Sequence, residues 1–329
     1  MKKLNWAIVG VTGMVGGMFI KVLEERKIPV GRLLPLASAR SAGQHIRFNG
    51  QDLEIEALTE DSFEGIDIAL FAVEGPVSQK FAPIAVKAGA KVVDNSSYWR
   101  MDENVPLVVP EVNPQALTTA SSIFANPNCC ATPATVALKP LADKYGLQRV
   151  IISTYQSVSG AGVGGMEDLT RTLQGEKPQH FPHTIAGNLI PHIDTFEPDG
   201  YTGEEKKLMA EIRKILAIPA LPITATTVRV PVEYGHSLSI NVTLAAPFAI
   251  EDIRKLFATA PGVVLQDDGA SNLYPMPRVA AGTDHVYIGR LRKDDSFPNT
   301  LNMWVVADNI RKGAATNAVQ IAQEVLTNW

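Results

Sequence analysis

Trp6-Ala-Ile-Val-Gly10-Val-Thr-Gly13-Met-Val-Gly16 is the stretch that decides the fold of this chain. Trp6 to Val9 reads as a short buried strand, and Met14 to Arg26 carries the apolar period of a helix. The glycines between them allow a tight turn, and the backbone N–H groups at the helix mouth suit a pyrophosphate. Gly10, Thr12, Gly13, Met14 and Val15 are the candidate cofactor contacts. The spacing is Gly-x-x-Gly-x-x-Gly, not the commoner Gly-x-Gly-x-x-Gly, and a glycine-rich turn that holds nothing would carry the same letters. Its place after the first strand of an alternating strand–helix region favours the nucleotide.

A second strand, Leu33 to Ala37, discriminates between cofactors at its end. Sites for NAD usually place a carboxylate there for the ribose 2′-hydroxyl. This chain has Ala37-Ser-Ala-Arg40-Ser-Ala-Gly43, with no acid and one arginine. Arg40 flanked by Ser38 and Ser41 suits the 2′-phosphate of NADP.

Further strands are expected at Ile68–Val73, Lys91–Asp94 and Ser122–Ala125, with a helix at Pro76–Ala88. Repeated strand–helix–strand order implies a parallel sheet with right-handed crossovers. After about Arg149 the texture becomes β-rich, at Val150–Tyr155, Ile223–Val230, Leu238–Leu244 and Thr300–Val306. Glu204–Leu216 and Ile250–Ala258 are the only long helical patterns among them. The expected class is therefore α/β, a Rossmann-like dinucleotide-binding domain followed by an α+β domain with a mixed sheet. The boundary is placed at 131, giving residues 1–131 completed by a returning tail helix at 312–329, and a second domain at 132–311. Residues 174–203, rich in proline and glycine, form the least regular stretch.

The chain has 329 residues, which suits two domains. A net charge of −4 gives no reason to expect a nucleic-acid surface. Both cysteines are neighbours, Cys129 and Cys130, which points to a reducing, cytoplasmic setting. Lys2-Lys3 precedes an uncharged run, but its glycines and the lack of a small-residue cleavage site argue against a secretory leader. No stretch reaches the length of a membrane span.

Asn126-Pro-Asn-Cys129-Cys-Ala-Thr-Pro133 opens a helix running to Tyr145. A thiol in a first helical turn feels the positive end of the helix dipole, which favours the thiolate of a nucleophile. Two small buried hydrophobes would look the same in this segment alone.

Asn-Pro-Asn-Cys before a helix resembles the nucleophile segment of the aspartate-semialdehyde dehydrogenases. Further segments match that family in order: Asp94-Asn-Ser-Ser-Tyr-Trp-Arg100, Tyr155-Gln-Ser-Val-Ser-Gly-Ala-Gly162 and Arg229-Val-Pro-Val-Glu-Tyr-Gly-His236. With the turn at Gly10 and the loop at Arg40, the match runs from about residue 5 to 320. The resemblance implies an NADP-dependent phosphorylating aldehyde dehydrogenase that reversibly converts L-aspartyl-4-phosphate into L-aspartate 4-semialdehyde. That reaction serves the biosynthesis of lysine, threonine, methionine and diaminopimelate. It also implies a homodimer, alone or as a dimer of dimers, whose partners are a small-molecule substrate and inorganic phosphate.

Carried over residue by residue, Cys129 forms the acyl thioester, His236 is the general acid/base and Gln156 orients the substrate. Arg229 clamps the carboxylate, Glu204 meets the substrate ammonium, Arg100 and Lys207 hold phosphate, and Asn128 adds a substrate contact. Ser159, Gly160 and Asn317 match contacts to the nicotinamide. An exposed i,i+3 pair would give Glu204 and Lys207 the same spacing. Cys130 and Ala131 depart from the family, which commonly has two hydroxyl residues there. His180, His183 and His192 lie among prolines without cysteine, and no metal is expected. Two rivals are an N-acetylglutamyl-phosphate reductase, whose substrate lacks an ammonium for Glu204, and a silent NADP-binding paralogue, which would have lost the nucleophile or base.

Overall fold

A computed structural model describes residues 3–327. Residues 1–2 and 328–329, including Lys2 and the extreme ends of the expected first domain, lie outside the described residues. The chain divides into two compact units, one formed by residues up to Pro127 and from Ala314 onward, the other by Asn128–Gly313. Cys129 and the start of the helix after it therefore go with the second unit.

In the first unit, β1 (Leu4–Val9), α1 (Met14–Glu25) and β2 (Val30–Ala37) are followed by the hairpin β3 (His45–Phe48) and β4 (Gln51–Glu54). Then come β5 (Glu56–Ala57), β6 (Ile68–Phe71), α2 (Gly75–Lys87), β7 (Lys91–Asp94) and β8 (Ile123–Ala125). The sheet runs β5-β2-β1-β6-β7-β8, and every pairing is parallel. Such a sheet buries both faces, and alternate residues of β1 show it. Trp6 and Ile8 enter a core with Phe19 and Leu23 of α1 and with Val319 and Ala322 of the C-terminal helix (Thr316–Thr327). Ala7 and Val9 enter the opposite core, with Phe71, Ala82 and Ala85. Chain order reverses on the two sides of β1, so the Gly10 turn lies at the C-terminal end of the central strand, where open α/β sheets bind ligands.

The turn needs its glycines. Gly10 has φ +86°, and a Cβ there would lie 2.3 Å from the Ala72 carbonyl oxygen. A Cβ at Gly16 would come to 2.1 Å from the Gly10 oxygen, whereas one at Gly13 meets only ordinary contact at 3.4 Å. The close strand–helix approach rests on Gly10 and Gly16, and the outer face at Gly13 stays open.

The second unit contains α3 (Ala131–Tyr145), β9 (Leu147–Gln156), α4 (Gly162–Leu173), α5 (Gly203–Leu216), β10 (Ile223–Arg229) and β11 (His236–Leu244). It continues with α6 (Ile250–Ala258), β12 (Val263–Leu265), β13 (Val286–Lys293) and β14 (Thr300–Ala307). Its sheet, β10-β9-β11-β14-β13-β12, is mixed: β10–β9 and β12–β13 are parallel, the other pairings antiparallel.

Three elements of this unit depart from the sequence reading. Helix α4 was not expected, because three glycines among its first four residues weaken the helical signal and its buried face is Gly165, Asp168, Leu169 and Thr172. Strands β12 and β13 escaped as well, β12 for its length and β13 because Gly289 and a register shift break its alternation.

No helix or strand occurs between α4 and α5, yet this segment is anchored. The buried Asp168 carboxylate accepts the N–H groups of Gln179, His180 and Phe181, each at 2.8 Å. Burial opposes its ionisation, but these hydrogen bonds prevail and hold Asp168 below the ordinary carboxylate range. Ile190 bridges to Arg229 in both directions. Among the described residues no helix is long and apolar enough to cross a membrane.

Candidate active site

The mouth of α3 is built by Asn128. Its Oδ1 accepts the N–H of Cys130 at 2.8 Å and of Ala131 at 3.3 Å, taking up orphan donors of the first turn. Its own N–H donates to Glu211 Oε2 at 2.6 Å, and its Nδ2 donates to Glu204 Oε1 at 2.9 Å. Glu204 and Glu211 are seven residues apart on one buried face of α5, as helical periodicity requires. A capping box fixes the helix start: Thr202 Oγ1 accepts from Glu205 N, and Glu205 Oε2 accepts from Thr202 N.

Cys129 is half-buried and Cys130 fully buried. The sulfurs of Cys129 and Cys130 and a ring nitrogen of His236 lie within 4.8 Å of one another. The Cys129 thiol is held well below its ordinary value, chiefly by a hydrogen bond from Cys130 and then by His236 and Arg229, which together outweigh burial. Burial first, then the neighbouring Cys129, push Cys130 well above the ordinary range. One thiol of the pair is thus poised as thiolate and the other as its hydrogen-bond donor.

Gln156 and Arg229 end adjacent parallel strands in register, and His236 begins β11. Gln156 Nε2 donates to Glu204 Oε1 at 3.1 Å, so Glu204 gathers the amides of both Asn128 and Gln156. Arg229 Nη1 donates to the Ser157 carbonyl at 2.8 Å, its guanidinium lies 5.9 Å from the Phe181 ring centre, and burial lowers its pKa.

His236 is supported by Ser157 and Asn309, which sequence reading did not single out. Its Nδ1 lies 3.1 Å from Ser157 N and 3.0 Å from Ser157 Oγ. Ser157 Oγ donates onward to Asn309 Oδ1 at 3.0 Å, and Asn309 Nδ2 donates to Ser159 Oγ at 3.0 Å. Ser157 thereby offers Nδ1 a donor from its backbone and an acceptor from its hydroxyl, so either ring tautomer is satisfied and Nε2 is left for chemistry. Nε2 is buried without a hydrogen-bond partner of standard geometry. Asn309 follows β14, and an Asp-Asn pair closing an apolar strand was the available signal.

The other sequence-derived candidates lie as follows. Gly160 sits against the Arg229 guanidinium and the His236 ring. Lys207 is half-exposed and its Nζ meets Asp194 at 2.5 Å, so it pairs with that residue and not with Glu204. In the first unit, Arg100 donates to the carbonyls of Asn126 and Asn95 at 2.9 and 2.8 Å. Asn317 is fully buried, with Nδ2 donating to Val108 O and Asn126 Oδ1. No side chain caps α1 and no acid stands in its first turn, while Ser38 and Arg40 are exposed beyond β2. These features fit a diphosphate and a phosphorylated ribose.

Residues 5–120 match the family described as semialdehyde dehydrogenase, NAD binding domain, and residues 138–312 match semialdehyde dehydrogenase, dimerisation domain. An aspartate-semialdehyde dehydrogenase of Aquifex aeolicus is 52% identical, with 96% of each chain covered. The chain belongs to the aspartate-semialdehyde dehydrogenase family. Among solved members, aspartate semialdehyde dehydrogenase II of Vibrio cholerae, complexed with ASA, superposes with a TM-score of 0.96 at 43% identity, covering all of both chains. The enzyme of Candida albicans, solved with NADP, gives 0.79 at 25% identity over 99% of each. The fold class expected from sequence, a nucleotide-binding α/β half and a mixed-sheet half, is that of this family.

Proposed function

We infer that this protein is an NADP-dependent phosphorylating aldehyde dehydrogenase that interconverts L-aspartyl-4-phosphate and L-aspartate 4-semialdehyde through a thioester on Cys129, in amino-acid biosynthesis. The observation that carries this reading is a pair of thiols at a helix mouth with a ring nitrogen of His236 within 4.8 Å, where Cys130, His236 and Arg229 draw the Cys129 thiol below its ordinary value against burial.

In the oxidative direction the Cys129 thiolate adds to the aldehyde carbon and the former carbonyl oxygen takes a proton from His236 Nε2, giving a thiohemiacetal. His236 Nε2 accepts that hydroxyl proton as hydride leaves, and the carbon becomes a thioester; such acid–base help contributes about 10²–10⁴ in rate. When bound, NADP supplies the hydride acceptor, and its reduced form the donor for the reverse reaction. Inorganic phosphate then attacks the thioester carbonyl, releasing the acyl phosphate and restoring the thiolate. Arg229 grips the substrate carboxylate, Glu204 meets its ammonium, and Gln156 and Asn128 fix both through their amides. Arg100 in the first unit and Lys207 in the second are the phosphate contacts. Gly10, Thr12, Gly13, Met14 and Val15 hold the diphosphate, Ser38, Arg40 and Ser41 the 2′-phosphate, and Ser159, Gly160 and Asn317 the nicotinamide end. The first unit with its returning helix serves the cofactor, and the second forms a homodimer in the cytoplasm.

The test is phosphate-dependent reduction of NADP with L-aspartate 4-semialdehyde, run beside N-acetyl-L-glutamate 5-semialdehyde. Turnover of the first and not the second is expected. The reverse preference would assign the rival reductase, and turnover of neither would assign the silent paralogue.

A further inference from the structure

We propose that Cys129, Cys130 and His236 form a three-donor site for a soft divalent cation, zinc above all, and that occupation reversibly shuts the enzyme off. The cation is an inhibitor of this site and not a resident cofactor. The three donor atoms lie within 4.8 Å of one another. A tetrahedral zinc with bonds of about 2.3 Å to sulfur and about 2.0 Å to nitrogen spans donor–donor edges of about 3.5–3.8 Å. Closing the observed set onto the ion takes side-chain shifts of about 1 Å or less.

Each donor is prepared in a different way. His236 Nε2 is buried and has no hydrogen-bond partner of standard geometry among the described residues, while Nδ1 accepts from Ser157 N at 3.1 Å and faces Ser157 Oγ at 3.0 Å, with Asn309 behind it. Binding an ion through Nε2 puts the ring proton on Nδ1, where Ser157 Oγ at 3.0 Å can accept it, as the second nitrogen of a metal-bound histidine usually requires. Cys129 is half-buried, so an ion arriving from solvent reaches it first. Cys130 supplies the second sulfur from the helix side. On binding, the Cys130 S–H bond breaks, its proton goes to solvent, and two Zn–S bonds and one Zn–N bond form, with water in the fourth position. Two sulfurs and an imidazole select zinc over magnesium or calcium, which demand oxygen.

The charges agree. Glu204 acts on Cys130 and Arg229 acts on both thiols. Before binding, the Cys129 thiolate and Glu204 against one guanidinium leave one net negative charge, and the cation's own field then draws the second proton from Cys130. A hydroxyl at position 130 would leave only one sulfur and the imidazole, so the site depends on Cys130. Binding depends on geometry alone, whereas inhibition rests on Cys129 being the nucleophile proposed above.

The experiment titrates metal-stripped full-length protein with zinc chloride in competition with a zinc-sensitive dye, and measures turnover in parallel. One zinc per chain is expected, with loss of activity and of the iodoacetamide-reactive thiol, both restored by EDTA. Cobalt(II) should give a thiolate charge-transfer band. Cys130→Ser removes a direct ligand and should weaken zinc affinity by more than the ~10–100-fold that loss of an outer-shell partner costs. Its inhibition is read against its own metal-free rate, and its melting temperature and NADP binding check the fold. Absence of stoichiometric binding, or equal affinity in Cys130→Ser, overturns the site. Stoichiometric binding with full turnover keeps the site but overturns both the inhibition and the reading of Cys129 as nucleophile.

Discussion

Replacing Gly160 by alanine adds one methyl group where two functional side chains already touch the backbone. An ideal Cβ would lie 2.8 Å from Arg229 Nη1 and 3.0 Å from both Cε1 and Nε2 of His236. Those separations are about 0.5–1 Å short of the optimum for non-bonded contact. The His236 ring is fully buried and held through Nδ1, and Arg229 Nη1 is tied to the Ser157 carbonyl, so neither retreats freely. The methyl therefore displaces one or both by several tenths of an ångström from the position that serves the substrate. Misplacement by about 1 Å costs on the order of 10²-fold in rate. We expect kcat to fall by about 10–100-fold, or about 1.4–2.7 kcal/mol of transition-state stabilisation. Steady-state kinetics should also show KM for the semialdehyde rising more than KM for NADP. Alkylation of Cys129 by iodoacetamide reports whether the nucleophile survives. A normal kcat with only the KM for NADP changed would refute the reasoning and make Gly160 purely a cofactor contact.

Arg40→Ala should raise KM for NADP far more than KM for NAD; equal effects would reduce Arg40 to a surface residue. Cys129→Ala should abolish acyl-enzyme formation, whereas Cys130→Ser should fold and keep substantial activity, and mass spectrometry of trapped enzyme should find the adduct on residue 129. Iodoacetamide reactivity should reach its plateau below the ordinary thiol pKa of about 8.5, and Cys130→Ala should move that midpoint upward by removing the donor. The folded pKa of Cys129 lies below its unfolded value, so its contribution to stability is present above the unfolded pKa and is lost as pH falls through the folded one. A midpoint at or above the ordinary value would sink the thiolate assignment.

The central strands and helices of the first unit were legible because their signals are local, whereas the polar hairpin β3–β4 and the two-residue β5 were not expected. A buried parallel strand is a short apolar run, a dinucleotide turn is a cluster of glycines, and both are visible within ten residues. Helix α4 was hidden because Gly165, Asp168 and Thr172 occupy buried places where apolar residues would have shown the period. The support of His236 was hidden for another reason. Ser157 and Asn309 are 152 residues apart and meet only because β9, β11 and β14 are neighbours in one sheet. Small polar residues give no periodic signal, and their roles exist only once strand pairing is known. Likewise, Glu204 and Lys207 look like an i,i+3 ion pair in the sequence, yet α5 turns Glu204 inward and leaves Lys207 with Asp194.

The surroundings of Glu204 bear directly on which substrate the site accepts. Its Oε1 already takes hydrogen bonds from Asn128 and Gln156, in a place where the side chain is nearly sealed from water. A buried carboxylate is costly unless its remaining lone pairs find donors. A substrate ammonium supplies them together with a compensating charge. An acetylated nitrogen supplies at most one neutral N–H and brings a bulky acyl group into the space beside Arg229. Sites built to hydrogen-bond a particular group reject analogues lacking it by about 10⁴–10⁵-fold, because the buried partner is left unpaired. Arg229 alone would accept either substrate, since both carry an α-carboxylate. On the proposed role of Glu204 toward the substrate ammonium, the choice between a free and an acetylated amine rests on this carboxylate, which the amides of Asn128 and Gln156 hold in place.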